Sequence, residues 1–169
     1  MPEGEVRSTS GSRMRWEDWA VYALALAGIY FLVGVLFFYG GKEKIFDGIG
    51  APPPIEKQFA GTFLDTIPGI DAAWTILGIL ELAIFVLMVV SLVTLEFMPN
   101  RRKPFLLSGL ALSIFTFSIL AIGENVTGEH EGVEGLFLYA GATGVLLFLA
   151  MQMPPYKAGN WISGRGGGL

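Results

Sequence analysis

The sequence predicts an all-α fold of membrane type: a polytopic four-helix bundle, both termini cytoplasmic, with a short amphipathic helix in the first outer loop. Three observations carry that expectation. Apolar stretches run over residues 20–39, 72–95, 105–122 and 135–153, each close to the ~20 residues that cross a ~30 Å hydrocarbon layer. Only one of them holds an ionisable residue deep inside, Glu81. Hydrophobic residues make up 53% of the chain and the mean hydropathy is +0.58, above soluble composition, which is ~45–50% apolar even with glycine counted.

The segments follow in order. Residues 1–15 are rich in Ser, Gly and Arg and read as a mobile cytoplasmic tail; 16–156 form the transmembrane domain; 157–169, ending in SGRGGGL, form a second cytoplasmic tail. The first apolar run begins near Ala20 after a polar stretch and has full spanning length, so it reads as a helix rather than a signal peptide. Trp16 and Trp19 at one end of it and Tyr39 at the other suit the headgroup level, as do Trp74 and Trp161. The stretch 40–71 is too long for a simple turn. It opens with Gly40-Gly41, passes Pro52-Pro53-Pro54, and then repeats Ile55, Phe59, Phe63 and Ile67 every four residues. That spacing predicts one short amphipathic helix, lying at the outer surface or folded over the bundle mouth, closed by Pro68-Gly69, with Asp71 as N-cap of the second span. The turn Met98–Pro104 holds two prolines and an asparagine, which makes the second and third spans antiparallel neighbours. The connection 123–134 reads as a short acidic loop. Small residues at packing spacing occur as Ala23, Ala27 and Gly34, as Gly109 and Ser113, and as Ala140 and Gly144.

Basic residues set the orientation. Arg7, Arg13 and Arg15, then Arg101, Arg102 and Lys103, then Lys157 and Arg165 fall on one side; only Lys42, Lys44 and Lys57 fall on the other. The positive-inside rule therefore places both termini and the 96–104 turn in the cytoplasm; the membrane expected is a bacterial plasma membrane. The net charge of −4 argues against nucleic acid as a partner.

Composition narrows the chemistry. Cysteine is absent, which removes disulfides, thiol redox chemistry and iron–sulfur ligation. The single histidine, His130, cannot support bis-histidine haem ligation between these helices. Among Glu124, Glu129, Glu131 and Glu134 it is a weak candidate for a divalent cation, with a solvated acidic turn the stronger reading. No cofactor is expected to be held by the chain itself; a quinone or a lipid is the expected contact.

Glu81 is the sharpest signal. Near the bilayer centre a carboxylate costs at least ~2.5–3.5 kcal/mol to insert, so it must face the bundle interior and be protonated, hydrogen-bonded or paired. Two readings stand: contact with a proton or a quinone headgroup, or a carboxyl that fixes helix packing. Its candidate partners are Ser113, Thr116, Ser118, Tyr139, Thr143 and, from the end of the first span, Lys44. Lys44 itself is either such a partner or an interfacial lysine whose charge reaches back to water.

The segment FFYGGKEKIF at the end of the first span, the amphipathic outer segment and LGILELAIFVLMV with its intramembrane glutamate resemble the G-x-x-K-[LIF] pattern of DoxX-like membrane proteins. The resemblance covers roughly residues 20–153 and falls on Gly41, Lys44 and Glu81, with Lys42 beside them. It implies four helices with cytoplasmic termini and a membrane redox setting, such as a thiosulfate:quinone oxidoreductase subunit or an accessory protein of a respiratory assembly. The expected function is a non-catalytic accessory or structural subunit of a larger membrane redox or respiratory complex, with lipids and that complex as partners. The alternatives are a quinone-linked oxidoreductase subunit acting on a small sulfur compound, with Lys44 and Glu81 at the site, and a small transporter.

Overall fold

The computed structural model describes residues 16–47, 50–67, 69–98 and 101–153. The two assigned tails, Trp161 among them, lie outside the described residues. The described chain is helical: α1 Trp16–Phe46, α2 Pro53–Phe59, α3 Phe63–Thr66, α4 Ile70–Val93, α5 Pro104–Thr127 and α6 His130–Gln152. Four of these, α1, α4, α5 and α6, are long and apolar enough to cross a membrane. The protein is an integral membrane helical bundle in that sense.

The spans pack in chain order. α1 lies along α4, α4 along α5 and α5 along α6, and no comparable contact closes α6 onto α1. Pairings along each seam show that neighbours run antiparallel. Gly41 meets Leu82 and Gly34 meets Met88, while Tyr30 meets Ser91. Gly109 then meets Met88 across the next seam. The core is built from Leu26, Ile29, Tyr30, Val33 and Phe37 of α1, Ile84 and Met88 of α4, Leu106, Leu110 and Phe117 of α5, and Ala150 of α6. α6 is the least enclosed span: 11% of its central apolar stretch is buried inside the protein, against 33%, 33% and 39% for the others.

Several boundaries differ from the sequence reading, each for a physical reason. α1 does not stop at Tyr39 but continues through Gly40-Gly41 to Phe46, 31 residues in all, roughly 45 Å at 1.5 Å per residue. Its last two turns pack against α4 around Gly78–Leu82, and the glycines there serve close packing rather than helix termination. The acidic connection 123–134 is almost wholly helical: α5 runs to Thr127 and α6 starts at His130. Its carboxylates project from helix ends instead of from a loop. Gly128, at φ 80°, supplies the left-handed C-cap between the two.

The amphipathic segment is two short helices, not one. α2 starts on Pro53 and Pro54, whose missing N–H groups are no loss in a first turn. Gly61, at φ 78°, then breaks the path before α3. The break moves Ile67 out of the apolar stripe; it is 75% exposed. Asp71 does not cap α4, whose N-cap is Gly69. Its Oδ1 instead accepts the Ala51 N–H at 2.8 Å and ties the α1–α2 connection to α4. The bundle thus has a roof end, under α2 and α3, and opposite it a turn end, where α4 connects to α5.

At the turn end α4 closes on a Schellman motif: Glu96 N–H donates to Ser91 O at 3.0 Å and Leu95 N–H to Leu92 O at 3.1 Å. Leu95 occupies the left-handed position at φ 59°, where glycine is usual. The turn delivers Glu96 to the start of α5. Its Oε1 accepts the Phe105 N–H at 3.1 Å. Its Oε2 accepts the Leu106 N–H at 2.9 Å and the Ser91 hydroxyl at 2.6 Å. α5 has no capping side chain at its own N-cap, Lys103, so Glu96 satisfies the orphan donors and meets the positive end of the helix dipole. Replacing Glu96 with Ala strands these donors, at ~1–3 kcal/mol each when buried. Glu96→Ala is expected to speed amide exchange at Phe105 and Leu106 at least tenfold and to lower Tm in detergent, while Glu96→Gln retains part of both; hydrogen exchange read by mass spectrometry checks this.

Candidate functional site: a buried ion pair at the α1–α4 crossing

The centre of the site is made by two helices with complementary notches. Lys44 lies one helical turn after Gly40 on α1, and Glu81 three residues after Gly78 on α4. A Cβ on Gly40 would sit 2.8 Å from Glu81 Oε2, and a Cβ on Gly78 would sit 2.7 Å from Lys44 Cβ. Each charged residue therefore rests against the glycine of the opposite helix. Gly41 completes the approach: a Cβ there would lie 2.9 Å from the backbone nitrogen of Leu82. No side chain larger than hydrogen fits that position without moving backbone.

The close crossing brings opposite charges together. Lys44 Nζ donates to Glu81 Oε1 at 3.2 Å and to the Gly40 carbonyl at 3.3 Å. It lies 3.0 Å from Glu81 Oε2, which takes no hydrogen bond and is held by the charge contact alone. On its remaining side the ammonium sits over the Trp74 ring, 4.8 Å from the centroid, in a cation–π arrangement. The side chains are 10% and 7% exposed for Lys44 and Glu81, so the pair is enclosed. Trp74 thus has a second task beyond its place near the end of α4.

The other predicted residues separate from this centre. Lys42 points outward and pairs with Asp47 at 2.8 Å. His130 begins α6, exposed, and no group of three or more His, Asp or Glu side chains among the described residues is arranged to hold a metal. Of the hydroxyls considered as partners for Glu81, those of Ser113, Thr116, Ser118 and Thr143 all donate to carbonyls one turn back in their own helices. Tyr139 is 58% exposed, beside the Phe117 ring. Lys44 alone among the candidates reaches the carboxylate.

A second polar cluster, at the turn end, is one that sequence reasoning did not single out. Tyr30 Oη and Ser91 Oγ lie 2.6 Å apart, and Ser91 leads to Glu96. Lys103, fully buried, donates to the Arg101 carbonyl at 3.0 Å and lies 5.6 Å from the Tyr22 ring centroid. Burial pushes the Lys103 ammonium toward its neutral form, and the Glu96 carboxylate opposes that shift. Glu96 and Lys103 sit in a segment that reads as a basic turn, so composition hides them. The one signal available was Glu96, an acid directly after an apolar span and ahead of three basic residues.

No family model, no curated protein and no solved structure matches this chain.

The geometry can hold charge and position two helices; nothing in it leaves a free acid or base facing open space. Removing one member of such a pair strands the other, at about 3–5 kcal/mol in proteins generally, whereas replacing both by apolar groups is often neutral. Lys44→Met alone is therefore expected to lower the Tm of the purified protein strongly, and Lys44→Met with Glu81→Leu to recover more than half of that loss. A double variant no more stable than the single one would show that the pair is not what the crossing depends on.

Proposed function

We propose that this chain is a non-catalytic accessory or structural subunit of a larger membrane assembly of respiratory or other redox type. The observation that carries the reading is the enclosure of Lys44 and Glu81 on one another. A carboxylate that exchanges protons or meets a quinone headgroup needs an open face, and this one is spent on a lysine and a glycine notch. The hydroxyls of Ser113, Thr116 and Thr143, on α5 and α6, are likewise turned onto their own backbones. α6 adds support: it packs chiefly along α5 and leaves most of its circumference to lipid or to a neighbouring subunit. The redox setting rests on the resemblance of Gly41, Lys44 and Glu81 to the DoxX-like pattern. The same proposal puts the chain in a bacterial plasma membrane, on that resemblance, with the turn end and both termini cytoplasmic, on the distribution of Arg and Lys.

A quinone-linked oxidoreductase subunit is the second reading. It is favoured by the Lys44 ammonium lying against Trp74, a ring that also lines an apolar cavity. The two readings separate in native membrane. Solubilised in mild detergent, the chain is expected to migrate with larger partners identified by mass spectrometry. The stable double variant Lys44→Met, Glu81→Leu is expected to keep both the partners and the turnover of that assembly. Recovery as a lone monomer removes the first reading; an intact assembly that loses quinone-linked turnover transfers the case to the second.

A further inference from the structure

We propose that the cavity beneath α2 and α3 holds a hydrocarbon chain of a bilayer lipid. The cavity encloses about 220 Å³. Its roof is Ile55, Phe59, Phe63 and Leu64, and its walls include Trp74 and Leu77 of α4 and Leu120 of α5. Apolar cavities of ~150 Å³ already take up benzene, so this volume is ample for a stretch of chain. Water is a poor occupant, because it needs two to four polar partners. The one charged wall residue, Glu124, already accepts the Gln58 amide at 3.0 Å. A ligand with polar ring substituents meets the same difficulty.

The source of the chain follows from where the cavity opens. Ile119, Ile122 and Phe63 line it and are 38%, 60% and 62% exposed, so its margin is continuous with the lipid-facing surface of α5. Ile119 and Ile122 lie eight and five residues before the end of α5, or ~12 and ~8 Å along the axis. Both positions lie inside the apolar span of α5. The roof is pinned, not merely resting. Gln58 Nε2 donates to Glu124 and, at 3.2 Å, to Thr127 Oγ1, and the Phe59 ring lies over Gly123 of α5. α2 and α3 contain no fully buried residue of their own. A roof with apolar side chains turned inward but none buried by protein is completed by hydrocarbon, which supplies the dispersion contacts an empty void lacks.

The test uses the full chain in phospholipid nanodiscs carrying a phospholipid with a diazirine midway along one acyl chain. After irradiation, peptide mass spectrometry is expected to find adducts at Phe59, Leu64 and Leu120 at least fivefold above those on the freely exposed face of α6, such as Phe148. Ala73→Trp, which fills the cavity from α4, is expected to abolish the enrichment and leave α6 labelling unchanged. Gln58→Ala, which unpins the roof without adding bulk, is expected to reduce it several-fold and serves if the tryptophan variant does not fold. Even labelling over all exposed faces overturns the proposal. So does enrichment that both variants leave intact, or displacement of the probe by an isoprenoid quinone but not by unlabelled phospholipid.

Discussion

The contact between Lys44 and Glu81 governs how α1 meets α4, and the rest of the bundle follows from that meeting. Two charges withdrawn from water lose hydration worth several kcal/mol each, and they recover it only at close range with good geometry. Close range requires the helix axes to approach, and side chains normally keep them ~8–10 Å apart. Gly40 and Gly41 on one helix and Gly78 on the other remove those side chains where the charges sit. Notches and charges therefore depend on each other. The glycines without the pair would leave voids, and the pair without the glycines would stand too far apart in a medium that gives an unpaired carboxylate no other partner.

α4 carries this logic from its middle to its turn end. Ten residues beyond Glu81, ~15 Å along the axis, Ser91 links Tyr30 of α1 to Glu96, and Glu96 opens α5. Between the two polar clusters lie Ile84 and Met88, buried against Phe37, Val33 and Leu110. The seam is thus polar at its ends and apolar in its middle. Dispersion alone lets one apolar helix slide along another with small penalties. Two polar contacts some three turns apart do not, because a slip of one residue breaks both. This is the register role for which buried polar groups are best attested.

Much of the architecture was legible because the bilayer imposes it. A spanning segment must be ~20 residues long and nearly free of charge, so hydropathy alone locates α1, α4, α5 and α6. What was not legible comes from residues whose meaning depends on what lies opposite. Gly40-Gly41 has the composition of a helix stop, yet beside Leu82 it is a packing surface and α1 runs on to Phe46. Gly78 is one small residue in an apolar run, with no mark of its own, although it accommodates Lys44. Glu96 and Lys103 have the composition of a solvated turn, yet both are buried, at 3% and 0% exposed, because Leu95 takes a left-handed conformation and folds the chain back under α4. Glycines and charges in the 123–134 segment suggest a loop, but water satisfies a charged helix end as well as it does a loop. The four-residue stripe in the roof was half correct: Ile55, Phe59 and Phe63 do line one cavity, and the glycine at 61 supplies the break that periodicity cannot register.

Glu81 and Glu96 show how far one side chain's role is set by its surroundings. Both are acids at the margins or inside of α4, and both are at most 5% exposed. Glu81 meets a full positive charge and leaves one oxygen without a hydrogen bond. Glu96 meets two backbone N–H groups and a hydroxyl, and both its oxygens are engaged. The partial charges at a helix N-terminus bring only about half a unit, so Glu96 depends on the number and direction of its hydrogen bonds, and Glu81 on the proximity of one cation. The consequence is a difference in what each tolerates. An amide can imitate much of what Glu96 does, since it still accepts hydrogen bonds. It cannot imitate Glu81, because an amide beside Lys44 leaves an ammonium in the bundle with no counter-charge. The crossing of α1 and α4 is for that reason the less forgiving of the two, and it is the one that the pattern G-x-x-K, read with an intramembrane glutamate, encodes.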